Sequence, residues 1–121
     1  MSKWSENAKK SIERSRVIDG REKVSIDEVI KNYPNGVCID EFEILTNEEG
    51  KDYVVLHIKG TNNYFNGGSI ALKIARGWTD DFDGDDDVAS AELAKDGGCT
   101  FIIKRGKTKK GNNITLFDPI D

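Results

Sequence analysis

The densest run of chemically capable side chains in this sequence is cationic. Five of the seven residues at 104–110 are basic, namely Lys104, Arg105, Lys107, Lys109 and Lys110. Gly106, Gly111 and Asn112-Asn113 border them, giving the loop freedom to follow a phosphate backbone, and each phosphate it neutralised would release a counterion. Upstream, Tyr53, Tyr64 and Phe65 fall in strand-like segments. An aromatic ring on a sheet surface stacks an unpaired base for about 1–3 kcal/mol. Together these residues suit sequence-tolerant binding of single-stranded nucleic acid. Basic hairpin turns and strand aromatics also occur simply as solvated turns and core, and Glu48 and Glu49 in another turn would repel phosphate.

The opposite charge is concentrated elsewhere. At 80–87 six of eight residues are aspartate, namely Asp80, Asp81, Asp83, Asp85, Asp86 and Asp87. With Gly84 at the sixth place of a calcium loop, Asp81 and Asp83 take the third and fifth. The first place is then Thr79 and the twelfth Ser90, so the motif fails at both ends. No metal site is expected. A solvated acidic loop is one reading. The other is a protein-binding surface that imitates the charge spacing of a nucleic acid and docks a basic groove, as an inhibitor of a nucleic-acid enzyme would.

Catalysis has little to stand on. His57, the single histidine, lies mid-strand, where a structural or exposed role is expected. The sequence has no glycine-rich phosphate loop preceding a Lys-Ser or Lys-Thr pair, no Cys/His metal spacing and no nucleophile elbow. The expectation is a non-enzyme without a cofactor. Cys38 and Cys99 sit in apolar runs and read as buried thiols rather than a disulfide.

The elements that must position these residues follow from periodicity. With 121 residues and 36% hydrophobic content the chain suits one domain with a modest core. No apolar run approaches the length of a membrane helix, and Met1-Ser2-Lys3-Trp4-Ser5-Glu6 lacks the apolar stretch of a secretory signal, so a cytoplasmic protein is expected. Residues 1–23 are basic, with seven cationic and four anionic side chains up to Val24. They read as a flexible arm, or as a weak helix through Trp4, Ala8 and Ile12, and residues 24–121 as the domain.

Ser25-Ile26-Asp27-Glu28 is a capping box that starts a helix over 26–32, and Tyr33-Pro34-Asn35-Gly36 stops it. A strand over 37–45 changes phase at Asp40-Glu41, which predicts a bulge. Residues 52–59 alternate, with Val54, Leu56 and Ile58 inward, and pair with the first strand as a hairpin. A short strand at Tyr64-Phe65 precedes a helix capped by Ser69 and closed by Gly77; a further helical stretch over 88–95 and a hairpin of strands over 99–105 and 112–118 complete the chain.

Five strands with a helix between the third and fourth, after a short N-terminal helix, give an α+β, mainly β domain in the order of the OB-fold, a small Greek-key barrel. Residues 39–68, with Phe42, Tyr53-Val54-Val55 and Tyr64-Phe65-Asn66-Gly67-Gly68 before Ile70-Ala71-Leu72-Lys73-Ile74, together with the 104–118 hairpin, resemble small single-stranded-DNA-binding-like proteins of phages and conjugative elements of Gram-positive bacteria. The resemblance implies an OB-fold and single-stranded DNA as partner. The tail Leu116-Phe117-Asp118-Pro119-Ile120-Asp121 departs from it, being short and only mildly acidic where such proteins carry an acidic tail that docks partners, so the resemblance does not extend to recruitment by the tail.

Overall fold

The computed structural model describes residues 17–120. The first strand is the two-residue β1 (Glu22–Lys23). Ser25 then stands extended, its hydroxyl accepts from Glu28 N at 3.1 Å, and α1 (Ile26–Asn32) follows. A meander of β2 (Val37–Thr46), β3 (Asp52–Ile58) and β4 (Asn63–Asn66) leads to α2 (Gly68–Asp80) and α3 (Asp86–Lys95), and the hairpin of β5 (Cys99–Lys107) and β6 (Asn113–Ile120) closes the described chain. Among the described residues this is an α+β domain, and no helix is long and apolar enough to cross a membrane.

The sheet is mixed, in the order β1-β4-β3-β2-β5-β6; β1 runs parallel to β4 and every other pair is antiparallel. It does not close into the expected five-stranded barrel. The free edge of β4 is taken by the N-terminal segment, with Glu22 N donating to Asn62 O and Val24 N to Tyr64 O, both at 2.9 Å. Among the described residues β6 therefore pairs only with β5. The sheet nevertheless curls: the rings of Phe65 on β4 and Phe117 on β6 stack with centroids 6.4 Å apart, whereas four strand spacings in a flat sheet would separate those strands by about 19 Å.

The curl begins at the predicted bulge. Pairing of β2 with β3 slips between Ile39 and Glu41, leaving Asp40 as the extra residue. Below it, Val37, Cys38 and Ile39 also pair with β5. Beyond it that edge of β2 has no strand among the described residues, and α3 covers it: Phe42 N donates to Ser90 Oγ at 2.9 Å and Ile44 N to Asp86 Oδ2 at 3.0 Å. Side chains of α3 thus satisfy backbone groups that β5 has left behind. Where α3 returns to β5, Gly98 has φ +90°, and a Cβ there would stand 2.7 Å from Ile39 O, so the close approach to β2 requires glycine.

The core lies inside the curl, with Val37, Ile39, Phe42, Val54, Leu56 and Phe65 from the sheet against Ala71 and Ala75 of α2 and Val29 of α1. Several expected boundaries shift. The second helix is preceded by Gly67, not capped by Ser69, because a Cβ at 67 would meet the Ala71 Cβ at 2.4 Å, and Asn66 Oδ1 accepts from Gly68 N instead. Gly77 does not end it, since the buried stripe Ala71, Ala75, Thr79 continues past it. The division at residue 23 also moves: Val17 is fully buried and β1 belongs to the sheet, so residues 17–23 are part of the domain. The helix through Trp4, Ala8 and Ile12 lies outside the described residues. Cys38 and Cys99 are half-buried and are not joined to each other by a disulfide.

Replacing Ser90 by alanine removes the acceptor for Phe42 N. Denaturant unfolding of Ser90→Ala should show a loss of about 1–3 kcal/mol at unchanged m-value.

Candidate nucleic-acid interface

β5 and β6 pair over eight residues each, from Thr100 opposite Ile120 to Lys107 opposite Asn113. The apolar pair Ile103 and Phe117 is the last buried rung; past it both strands leave the core and become polar. Alternation then places Lys104, across from Leu116, on one face and Arg105 and Lys107 on the other. Lys109 and Lys110 sit at the turn. The turn carries its own hydrogen bonds: Thr108 N donates to Asn112 O and Gly111 N to Thr108 O, both at 2.9 Å, and Gly111 adopts φ +81°.

Arg105 differs from its neighbours. Its Nε and Nη2 donate to Asp27 Oδ1 on α1 at 3.1 and 3.0 Å, and Nη1 donates to Thr115 Oγ1 at 2.8 Å. Lys104, Lys107, Lys109 and Lys110 are exposed and make no ion pair among the described residues.

The three proposed stacking aromatics separate. Phe65 pairs with Leu56 and so points into the core, where it is fully buried; it is not an accessible platform. Tyr64, opposite His57, and Tyr53, opposite Leu45, occupy the other face and are half-buried. That face also carries Glu41 and Glu43, which disfavour phosphate there.

His57, expected to be structural or exposed, is 5% exposed and anchors a charged clamp. Its Nε2 lies 2.7 Å from Thr61 O, which can only accept, so Nε2 carries a hydrogen. Nδ1 stands 2.6 Å from Asp40 Oδ1 and 3.4 Å from Glu41 Oε2. Arg21 Nη2 pairs with the same Glu41 oxygen at 2.7 Å, and its Nη1 donates to Val17 O at 3.2 Å, tying the N-terminal segment across the sheet. Asp40, Glu41 and His57 offer donor atoms within 4.8 Å of one another and could hold a metal ion. Arg21 already pairs with Glu41 and Asp40 is at hydrogen-bond distance from the ring, so the three groups have partners within the protein. Its signal in the sequence was the bulge itself, which turns Asp40 and Glu41 toward the histidine on the paired strand.

The aspartate run is divided as well. Asp85 caps α3, its Oδ1 accepting from Asp87 N at 3.1 Å and Val88 N at 3.2 Å, and Asp86 is spent on Ile44 N. Asp80, Asp81 and Asp83 are exposed. The two charged regions leave β2 in opposite directions: Asp86 binds beside Ile44, while β5 pairs with Val37 and runs on past the start of β2 toward the lysines. No ion pair joins them among the described residues. The glutamates of the 47–51 turn also lie at the far end of β2 from the basic hairpin.

Comparison with protein-family models, with curated proteins and with solved structures finds no match for this chain.

At the base of the β2–β3 turn, Asp52 accepts from Thr46 Oγ1 at 2.7 Å and from Arg76 Nη2 at 2.6 Å. The Thr46 hydrogen bond, followed by Arg76, holds its carboxyl below the ordinary 3.8. A lowered folded-state value means that the stabilisation is present above about pH 4 and fades as pH falls through the folded value. Carboxyl NMR titration should place Asp52 below 3.8, and Thr46→Val should move it upward.

Proposed function

We propose that this protein is a non-catalytic binder of single-stranded nucleic acid, DNA in the first instance, built on an open OB-like sheet and acting in the cytoplasm as a component of a phage or conjugative element. The observation that carries the reading is the projecting β5–β6 hairpin, where Lys104, Lys107, Lys109 and Lys110 have no ion-pair partner among the described residues. Two cations on a paired ladder and two at its turn, without ion-pair partners among the described residues, suit a polyanion. Support for the OB-like architecture comes from the ladder: β2 is shared through a bulge by β3 and β5, the helix α2 follows the third meander strand, and the curl brings Phe65 and Phe117 together. β1 then stands where a barrel seam would form.

The reading rests on the hairpin more than on base stacking. Of the three stacking residues, Tyr53 and Tyr64 remain able to meet a base, whereas Phe65 is enclosed. Arg105 joins the phosphate contacts once Asp27 releases it.

In a salt-titrated binding assay with a labelled oligonucleotide, wild-type affinity should fall steeply with salt. Replacing Lys104, Lys107, Lys109 and Lys110 with glutamine should flatten the slope of log affinity against log salt by about 3, at roughly 0.7 per lost single-strand phosphate contact. Asp27→Asn frees Arg105 and should steepen the slope by about 0.7. Absence of wild-type binding at low salt, or an unchanged slope in the glutamine variant, would remove this function.

A further inference from the structure

A cleft of about 200 Å³ lies where the C-terminal ends of α2 and α3 meet. Trp78, Phe82 and Leu93 form its apolar walls, and Asp81, Glu92 and Asp96 stand around them. On α3 the lining positions Ala89, Glu92, Leu93 and Asp96 follow a spacing of three, one and three, so they share one face of the helix. A glutamate on such an inward stripe is an unusual choice unless something positive meets it.

Two of the acids occupy positions that a helix disfavours for them. Asp81 is the C-cap of α2 and Asp96 the C-cap of α3. A helix C-terminus carries partial negative charge and is stabilised by cations, so both carboxylates add charge of the same sign. Among the described residues none of the three carboxylates has an ion-pair partner. The aromatic wall is fixed from behind: Trp78 packs on Phe42 at 5.3 Å and on Phe101 at 6.0 Å.

We infer that the cleft between α2 and α3 seats an arginine side chain of a partner polypeptide. A planar guanidinium stacks on an aromatic ring and still presents five N–H groups to surrounding carboxylates, which a metal ion or a compact ammonium cannot do. The space is also wider than a bare ion needs. A polypeptide is favoured over a free cation because exposed Asp80 and Asp83 extend the negative surface beyond the cleft, offering further places to a basic segment. The site lies apart from the basic hairpin and stands whether or not that hairpin binds nucleic acid.

Trp78 provides the readout. In full-length protein carrying Trp4→Phe, the remaining tryptophan emission should change on titration with a short arginine-rich peptide and not with its citrulline counterpart. Asp81→Asn, Glu92→Gln and Asp96→Asn combined should weaken peptide binding by about tenfold or more, while the thermal midpoint holds or rises because unfavourable charges at two helix ends are gone. No emission change with the arginine peptide, an equal response to the citrulline peptide, or wild-type affinity in the triple variant would overturn the site. A response to spermidine as strong as that to the peptide would overturn the assignment to a polypeptide.

Discussion

β2 has to satisfy different partners at its two ends, and the arrangement of the molecule follows from how it does so. On one edge it pairs with β3 along its length; on the other it pairs with β5 only through Val37–Ile39. The extra residue Asp40 separates these stretches and bends the strand, so β5 departs while β2 continues. The backbone donors exposed by that departure must find acceptors, because an unpaired buried N–H costs about 1–3 kcal/mol. Ser90 and Asp86 supply them, which fixes α3 along the vacated edge. The same bend curls the sheet far enough for rings from strands four places apart to stack.

Charge sorting is a consequence of this geometry. β5 runs antiparallel to β2, so everything beyond Phe101 projects past the start of β2, and that is where the lysines lie. The aspartate loop is tethered near Ile44 in the opposite direction. A chain of net charge −4 therefore keeps Lys104, Lys107, Lys109 and Lys110 clear of ion pairs with its acids among the described residues. Both charged runs nevertheless contain structural members. Arg105 is held by Asp27, and Asp85 and Asp86 serve α3, so composition overstated the charge available to ligands at each end.

The N-terminal segment decides the topology. It places β1 on the free edge of β4, which ends the sheet there and keeps it open. Arg21 then crosses to Glu41, and the His57 clamp with Asp40 and Thr61 holds the neighbouring turn. Each carboxylate in that clamp has a partner: Arg21 pairs with Glu41, and Asp40 lies at hydrogen-bond distance from the His57 ring.

Local features were legible in the residues because their causes are local. Ser25 caps the first helix through a hydroxyl three residues from its donor; the parity change at Asp40 marks the bulge; alternation marks the strands; and the glycine-bearing turn defines the last hairpin. The interior position of Phe65 was also available in principle, since its neighbour Tyr64 and the register of a hairpin with Leu56 assign it a face, but that register is a pairing between strands and is not printed in either one. Long-range partners were out of reach for the same reason. Glu22–Lys23 reads as part of a polar arm until β4 offers it an open edge, and Ser90 and Asp86 read as loop and helix polar residues until β5 leaves donors uncovered beside them. The sequence by itself determined the main turns, which of the longer stretches are strands or helices, and that opposite charges cluster in separate segments. Only the tertiary structure decided that the sheet stays open, which aromatics and charges reach solvent, and which are consumed inside, because those outcomes depend on backbone groups and side chains tens of residues apart competing for the same partners.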